Sequence, residues 1–394
     1  MSSGVSYRFL KLLIVFLNLS FPSLPGFPVL LQYSLNEAGF RSFSPGTILP
    51  LQKRFEMRGR YMYHFLVNPA SCSGRGAKCW ASVKRELERR GVPYEVHFSE
   101  KAGDMALTAA ELTQPPADAA GRAEKEAPVH LIVLGGDGTA NEALQGIRDF
   151  ERTRFSLIPT GSSNDLARDA GISRSPEKAV AALLENGREI PMDVGVLHYH
   201  TAYELRHGMP EKAARPDRLF LVSCGIGFDA GVCRQAMSSR FKDVLNRVGL
   251  GKLTYLGIAL KMLLASGKEA AVLTTEGPGG RQTGPVSIPG LMFSAVMSHQ
   301  YEGGGFRFCP GADPCDGLLD VCAVGDVPKW KVLLVLPTAF WGGHYRFRGV
   351  DRYAGQRIRI RTSSPLWVHT DGEVTALSDD ISVSCRRGLL RFYA

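Results

Sequence analysis

A glycine-rich run is the first feature of this sequence with clear chemical potential. Residues 135–139 read Gly-Gly-Asp-Gly-Thr and follow an apolar segment at 129–134. Three glycines in four positions allow a turn whose backbone conformation a residue with a side chain would not adopt easily. A helix beginning there would direct free backbone N–H groups and its positive dipole end toward a phosphate. The run is neither the Gly-x-Gly-x-x-Gly dinucleotide pattern nor a P-loop, because no Gly-Lys-Ser/Thr follows. A strand-to-helix connection without a ligand is the alternative.

Two pairs of carboxylates supply the second kind of chemistry. Asp371 and Glu373 flank a single glycine after an apolar segment, and either carboxylate could accept a proton from a hydroxyl group. Asp313 and Asp316 lie in a turn before another apolar segment, where their hard oxygen atoms suit Mg²⁺. The alternatives are an Asp-Gly hairpin for the first pair and ordinary turn formation for the second.

The elements that must position these residues follow an α/β pattern in the first half of the chain. Strands are predicted at 61–67, 94–98, 129–134 and 155–158, and helices at 77–90, 104–112 and 140–150. Three of the strands end in loops rich in Gly, Ser and Asn. This pattern is typical of an open α/β sheet whose ligand binds beyond the carboxyl ends of the strands.

From about residue 191 the sequence changes to short strands separated by long loops. The predicted strands are 192–198, 218–224, 271–275, 291–298, 319–324, 357–361, 366–369 and 381–384. Helices are predicted at 231–247 and 253–265, and an aromatic-rich segment at 328–345 also has helical character. Many short strands with few helices favour a β-sandwich or barrel.

Length and composition indicate a globular protein of two domains. The chain has 394 residues, of which 44% are hydrophobic and 22% charged. A net charge of +9 favours anionic partners, but the basic residues are scattered and not interleaved with aromatic ones, which argues against nucleic acid. The eight cysteines form no Cys-x-x-Cys pair, so we expect reduced thiols in a cytosolic protein.

Residues 1–56 differ in character from the rest. Their apolar run at 9–21 is too short to span a bilayer and is interrupted by Lys11 and Asn18. A signal or anchor, a disordered leader and an upstream stretch from a wrong start codon are the alternatives. The last two are favoured, because Met57 and Met62 lie near the first strand. The expected domains are therefore 57–190 and 191–394, with the last strand or strands as candidates to pack back on the first domain.

Six motifs in series resemble those of the diacylglycerol kinase catalytic-domain family, which includes soluble bacterial lipid kinases and the sphingosine and ceramide kinases. The motifs are Asn68-Pro69, Gly135-Gly136-Asp137-Gly138-Thr139, Pro159-x-Gly161-Ser162-x-Asn164-Asp165, Gly225-Ile226-Gly227-Phe228-Asp229, Asp313-x-x-Asp316-Gly317 and Asp371-Gly372-Glu373. The resemblance covers nearly all of the chain from about residue 60. It implies a nucleotide-binding α/β domain, a C-terminal β-sandwich and an active site in the cleft between them.

The resemblance also implies the role of individual residues. Those expected to bind ATP are Asn68, Ser71, Ser99, Gly135, Gly136, Asp137, Gly138, Thr139, Asn141, Ser162, Asn164 and Asp165. Asp313, Asp316 and the backbone carbonyl of Leu318 match a Mg²⁺ site of the family, and Asp371 and Glu373 match the pair that deprotonates the lipid hydroxyl. The family usually has Thr at position 162, where Ser162 keeps the hydroxyl, and often has Asn at the position of Cys224.

The function that the resemblance implies is an ATP- and Mg²⁺-dependent kinase acting on a lipid hydroxyl. Diacylglycerol, converted to phosphatidic acid, is the first expectation for the acceptor. The enzyme would be cytoplasmic and peripherally bound to the membrane, with a homodimer left open and no nucleic-acid partner. NAD kinase is an alternative that shares the Gly-Gly-Asp-Gly-Thr element but fits the other motifs poorly. A non-catalytic lipid- or nucleotide-binding protein is the other alternative, which the intact Asp316, Asp371 and Glu373 argue against.

Overall fold

The structure is a computed structural model that describes residues 62–74, 76–115, 128–228, 230–231 and 267–394. These residues belong to one compact unit, 60–394. The leader at 1–56, the predicted helix at 253–265 and all but the first residue of the predicted helix at 231–247 lie outside the described residues. Asp229 of the fourth motif lies outside them as well.

The first half is a parallel sheet with helices on both faces. Its strands β1 (Tyr63–Val67), β2 (Tyr94–Phe98), β3 (Val129–Gly135) and β4 (Thr153–Pro159) lie in the order β4-β3-β1-β2. All but the first residue of β3 are buried, because its alternate side chains pack into two different cores. A continuous apolar run therefore predicts this strand correctly.

In the part of the chain that the structure describes, six helices connect or cover these strands. They are α1 (Ser71–Gly74), α2 (Gly76–Arg90), α3 (Asp104–Leu112), α4 (Asp137–Gly146), α5 (Asp165–Asp169) and α6 (Pro176–Asn186). α2 and α6 cover one face, where Trp80 and Leu87 pack with Phe65. α3 and α4 cover the other face, where Met105 and Leu144 pack around Leu131 and its neighbours. The open α/β sheet expected from the sequence is confirmed.

The second half is a β-sandwich, as predicted. Its strands are β5 (Glu189–Tyr199), β6 (Tyr203–Arg206), β7 (Met209–Lys212), β8 (Arg218–Phe220), β9 (Ser223–Gly227), β10 (Glu269–Glu276), β11 (Val286–Leu291), β12 (Phe293–Met297), β13 (Leu319–Val324), β14 (Val350–Gly355), β15 (Arg357–Thr370) and β16 (Glu373–Tyr393). Alternate side chains such as Val296, Ile358 and Val383 form its core. The strands of this half pair antiparallel with one another.

Several predicted strand boundaries were wrong. The segment 218–224 is two strands, because the amides of residues 221–223 bond to a carboxylate instead of a neighbouring strand. The segments 357–361 and 366–369 form one strand, β15, interrupted by an irregularity in its pairing with β16. The polar hairpin of β6 and β7 was not predicted.

The aromatic-rich segment 328–345 is helical in short pieces. It forms α7 (Lys329–Val335) and two 3₁₀ turns, Leu336–Trp341 and Gly343–Arg346. Pro337 lacks the N–H that a longer α-helix would use, and Gly342 has the left-handed φ of 71°. These two residues explain why the helical pattern does not continue as one helix.

The last strand joins the two halves. Near its end, β16 pairs in parallel with β4 of the first sheet, matching Arg391 with Arg154 and Phe392 with Phe155. It also pairs along its length with β5 and β15. The turn between β15 and β16, which carries Asp371, is therefore connected through β16 to the parallel sheet of the first half.

Candidate active site

Three loops at the carboxyl ends of β1, β3 and β4 are hydrogen-bonded to one another. The Asn68 side-chain amide donates to Thr139 Oγ1 at 3.2 Å. The hydroxyls of Ser71 and Thr160 lie 2.9 Å apart, and the Thr160 amide donates to the Gly135 carbonyl at 2.8 Å. Residues from three of the predicted motifs thus form one rim around the start of α4.

The glycines of this rim are required for close approach. A Cβ atom on Gly161 would lie 2.5 Å from the Gly136 Cα, and one on Gly135 would lie 2.5 Å from Thr139 Cβ. None of Gly135, Gly136 and Gly138 has a positive φ, and φ of Gly136 is −100°. The expectation that the turn itself needs a backbone conformation closed to other residues was therefore wrong; the lack of space for a side chain is the reason.

Asp137 connects two of the loops. Its carboxylate accepts hydrogen bonds from the amides of Asp165 at 3.1 Å and Leu166 at 3.3 Å, so it caps the start of α5. Burial, together with the nearby charge of Asp165, raises the pKa of Asp137 to about 6. The structure thus places Asp137 between the loops, where it fixes their relative position.

The third loop is closed by Asn164. Its side chain accepts from the Gly161 amide and donates to the Gly161 carbonyl, both at 2.8 Å, with a left-handed φ of 52°. Asp165 is buried and pairs with Arg168. Ser162 is exposed at the apex of the loop. Of these predicted residues, Ser162 is therefore the one whose side chain is positioned to meet a ligand.

Asp371 bonds the second half of the chain to the first. One of its carboxylate oxygens accepts from the amides of Val222 and Ser223, at 2.8 and 2.9 Å. The other accepts from the Leu221 amide and the Asn141 side chain, both at 2.8 Å. A carboxylate offers about four acceptor positions, and all four are used here.

Glu373 has a different environment. It pairs with Arg218 at 2.9 Å, and its side chain is 37% exposed. A Cβ atom on Gly138 would lie 3.6 Å from its Oε1, so the carboxylate faces the glycine turn. Burial raises the pKa of Glu373 and Arg218 opposes that rise. A carboxylate with a raised pKa is a stronger proton acceptor.

Arg218 and Gln145 belong to the same site and were missed. The Arg218 guanidinium also donates to Asn141 Oδ1 and Thr370 Oγ1, both at 3.2 Å. Gln145 Nε2 donates to the Leu219 carbonyl at 2.7 Å, while Gln145 Oε1 accepts from the Leu219 amide at 3.1 Å. The spacing of four residues between Asn141 and Gln145, which places both on one helix face, was the available signal. Arg218 lies in no motif.

A second glycine-rich loop lies against the loop that follows β4. Gly303, Gly304 and Gly305 have φ values of 66°, 86° and 116°, which disfavour other residues. The Gly304 amide donates to the Asp165 carboxylate at 2.8 Å. The run of three glycines at 303–305 is the signal for this loop in the sequence.

Two other positions singled out in the sequence are placed as follows. Ser99 follows β2, and its amide donates to the Val67 carbonyl at 3.1 Å, next to the end of β1. Cys224 is buried in the core of the β-sandwich. Its side chain therefore packs among apolar groups, where the family often has Asn.

The loop predicted to bind Mg²⁺ is bonded to β5. Asp313 and Asp316 are exposed, and each uses one oxygen to accept from the backbone amide two residues later. The buried Asp193 accepts from the Gly317 amide at 2.6 Å. Two carboxylates and the Leu318 carbonyl form an oxygen donor set that fits Mg²⁺. Within the described residues, no hydrogen bond joins this loop to Asp371, Glu373 or the glycine turn at 135–139.

Among the helices that the structure describes, none has the length and apolar character needed to cross a bilayer. The aromatic side chains Trp330 and Trp341 are each 66% exposed, and Leu334 is 41% exposed. They lie in α7 and the 3₁₀ turn that follows it.

Comparison with known proteins agrees with this architecture. The family model of the diacylglycerol kinase catalytic domain matches residues 62–197, and that of the YegS C-terminal NAD kinase beta sandwich-like domain matches residues 222–392. A protein of Mycobacterium tuberculosis named "Diacylglycerol kinase" is 24% identical over 312 residues, which cover 78% of this chain and 87% of that protein. A Pseudomonas putida protein named "Probable lipid kinase YegS-like" is 29% identical over 293 residues, covering 74% of this chain and 82% of that protein.

Solved structures share the fold. The crystal structure of a diacylglycerol kinase from Bacillus anthracis superposes with a TM-score of 0.57 at 17% identity, covering 84% of this chain and 96% of that one. The two matched family models, the order of the six motifs and the shared fold lead to one conclusion. The chain belongs to the diacylglycerol kinase catalytic-domain family and carries a YegS-type β-sandwich as its second domain.

Proposed function

We propose that the protein is an ATP-dependent lipid kinase that transfers the γ-phosphate to the hydroxyl of diacylglycerol and produces phosphatidic acid. The observation that carries the proposal is the position of Glu373 from the second half beside Gly138 of the glycine turn from the first. A phosphate bound at the start of α4 would therefore lie next to a carboxylate able to accept a proton.

The nucleotide side of this site is supported by backbone groups and hydroxyls. The N–H groups at the start of α4 are oriented by the helix and suit phosphate oxygens. The rim adds the hydroxyls of Ser71, Thr139, Thr160 and Ser162. Phosphoryl transfer depends mainly on alignment and on neutralising charge, which a fixed rim of donors provides.

The two carboxylates have separate roles in this mechanism. Glu373 receives the proton of the lipid hydroxyl as that oxygen forms its bond to the γ-phosphorus and the bond from the γ-phosphorus to the oxygen of the departing ADP breaks. Asp371 positions the turn, because its acceptor positions are already used by four hydrogen bonds. Mg²⁺ held by Asp313, Asp316 and the Leu318 carbonyl would neutralise the charges of Asp313 and Asp316 and order the loop that carries them.

Neighbouring aromatic side chains support the proposed binding of the lipid acceptor. The ring of Phe340, next to the exposed Trp341, lies 4.1 Å from that of Phe306, measured between centroids. Phe306 follows the glycine loop whose Gly304 contacts Asp165. Exposed aromatic groups with nearby basic residues such as Lys331 are typical of binding to an anionic bilayer surface. We therefore propose that the segment 329–348 contacts the membrane from which the lipid enters.

The test is a kinase assay with labelled ATP and Mg²⁺ on mixed micelles containing diacylglycerol, sphingosine or ceramide, with NAD⁺ as a further acceptor. We expect labelled phosphatidic acid as the main product. Labelling of NAD⁺ alone would replace the proposal with the NAD kinase alternative. ATP binding by the wild type without transfer to any acceptor would support the non-catalytic alternative.

A further inference from the structure

Three potential metal ligands lie together on the β1–β2 side of the first sheet, apart from the candidate active site. His64 Nδ1 lies 3.2 Å from Glu95 Oε2, and His97 Nε2 lies 3.9 Å from the same oxygen. The three ligand atoms all lie within 4.8 Å of one another. The two imidazole rings are stacked, with centroids 5.8 Å apart and planes inclined by 29°.

The strand geometry explains this cluster. In the parallel pairing of β1 and β2, His64 is matched with Glu95, and residues matched in this way point to the same face of the sheet. Glu95 and His97 are two residues apart on one strand and so share that face. β2 is the last strand in the sheet order of the described part of the chain. The cluster therefore joins a terminal strand to its neighbour.

Hydrogen bonding within the described residues does not explain the positions of these two histidine nitrogens. His64 Nδ1 and His97 Nε2 are shielded from solvent and make no hydrogen bond of acceptable geometry within the described residues. An ion pair between His64 and Glu95 alone would not explain why a buried nitrogen of His97 also lies beside the same carboxylate.

We propose that His64, Glu95 and His97 form a binding site for a divalent transition-metal ion, with Zn²⁺ as the first expectation. Two imidazoles and one carboxylate are a common zinc ligand set, with water in the fourth position. Metal–ligand distances of about 2.0–2.1 Å in a tetrahedral site place the ligand atoms about 3.3 Å apart. The 3.2 Å separation between His64 Nδ1 and Glu95 Oε2 meets this requirement. His97 Nε2 lies 3.9 Å from Glu95 Oε2 and within 4.8 Å of His64 Nδ1, so the His97 side chain must move by at least about 0.6 Å. Imidazole ligands favour zinc over Mg²⁺.

The bound ion would crosslink β1 and β2. Because a ligand that binds only the folded state stabilises it, zinc at 100 times its Kd would raise the Tm by about 4 °C. This inference is independent of the kinase proposal, because its readouts are metal binding and thermal stability.

The experiment uses the full-length, tag-free protein freed of metal with a chelator and kept in excess Mg²⁺ to occupy oxygen-only sites. Calorimetric titration with ZnCl₂ should give one site per chain in the wild type. His97→Ala and Glu95→Gln should each weaken binding at least tenfold and abolish the zinc-dependent rise in Tm. The metal-free proteins are compared by circular dichroism, and the nearly isosteric Glu95→Gln keeps the test valid if His97→Ala fails to fold.

His198→Ala is the matched control, since His198 is an exposed histidine that also pairs with a carboxylate, that of Asp217. It should bind zinc as the wild type does. With Co²⁺ in place of zinc, the wild type should show the visible absorption of a tetrahedral site, and Glu95→Gln should lose it. The proposal would be overturned if the wild type bound no zinc, or if His97→Ala and Glu95→Gln bound zinc as tightly as the wild type. Loss of zinc binding in His198→Ala would also overturn it.

Discussion

The substitution Glu373→Gln separates the two carboxylates of the Asp-Gly-Glu turn most sharply. Glutamine keeps the shape of Glu373 and an oxygen that can accept from Arg218, which now lies 2.9 Å from the carboxylate. It removes the ability to take up a proton at neutral pH. Because a positioned general base is worth about 10²–10⁴-fold, we expect kcat to fall by that factor. The half-exposed position of the side chain predicts little change in Tm.

Asp371→Asn should behave differently. An amide NH₂ group would replace one oxygen that now accepts two hydrogen bonds, so it would face two N–H donors. Leaving a buried polar group without a partner costs about 1–3 kcal/mol, so two such donors predict a loss of about 2–6 kcal/mol in the free energy of unfolding. We therefore expect Asp371→Asn to lose stability and activity together.

The assay measures kcat and kcat/KM for diacylglycerol phosphorylation against pH, together with denaturant unfolding of each variant. In the wild type, kcat/KM should rise with pH through the raised pKa of Glu373, because the base acts in its deprotonated form. Glu373→Gln should lose this limb of the profile. Two results together would refute the assignment and reverse the two roles. Glu373→Gln would keep a near-normal kcat, and Asp371→Asn would be fully stable but lose the rise of kcat/KM with pH.

Three further predictions concern the loops and the membrane contact. Gly161→Ala should raise the KM for ATP at least about tenfold, since its new methyl group would separate two loops, whereas Gly284→Ala, with open space around it, should not. Asp137→Asn should gain up to about 3 kcal/mol in free energy of unfolding relative to the wild type as the pH rises from 4 to 8. The reason is that the pKa of Asp137 is about 6 in the folded state and 3.8 in the unfolded state, so the wild type bears the cost of ionising a buried carboxylate. A difference between the two proteins that does not change with pH would contradict this. In flotation with phosphatidylserine vesicles, Trp341→Ala should bind more weakly than the wild type, and the control Leu107→Ala, which removes an equally exposed apolar group from α3, should bind normally.

The parts of the site that sequence predicts well are those fixed by local spacing. The glycine turn at 135–139 follows a strand that is recognisable from its apolar run, and the acidic residues 371 and 373 lie two positions apart in a turn. In both cases the neighbours in the sequence are also the neighbours in space. The backbone pattern of a few residues is enough to locate such a feature, although it gave the wrong reason for the glycines.

The parts that sequence does not predict depend on contacts between distant residues. Arg218 meets Glu373 across 155 positions and Asn141 across 77, and no local pattern encodes either contact. The long strand β16 was predicted only at 381–384, because much of the rest of it is polar or partly exposed and its pairing partners come from several parts of the chain. Strand order and register decide these contacts, and both follow from the packing of the whole sheet.

The Asp-Gly-Glu turn shows how position alone gives two similar acids different chemistry. Asp371 stands at a left-handed backbone position with φ of 48°, where its short side chain reaches the amides of residues 221–223 and the side chain of Asn141. Of the four bonds that saturate Asp371, the one from the Asn141 side chain holds the turn against α4, and the other three attach it to residues 221–223. These bonds bring Glu373 to the glycine turn, where its Oε2 accepts from Arg218 and its Oε1 faces Gly138. Exchanging the two acids should therefore not preserve function: a longer glutamate at 371 could not make these short bonds, and a shorter aspartate at 373 would withdraw from Gly138. The roles follow from environment, since one carboxylate is consumed by structure and the other is left partly exposed with a raised pKa.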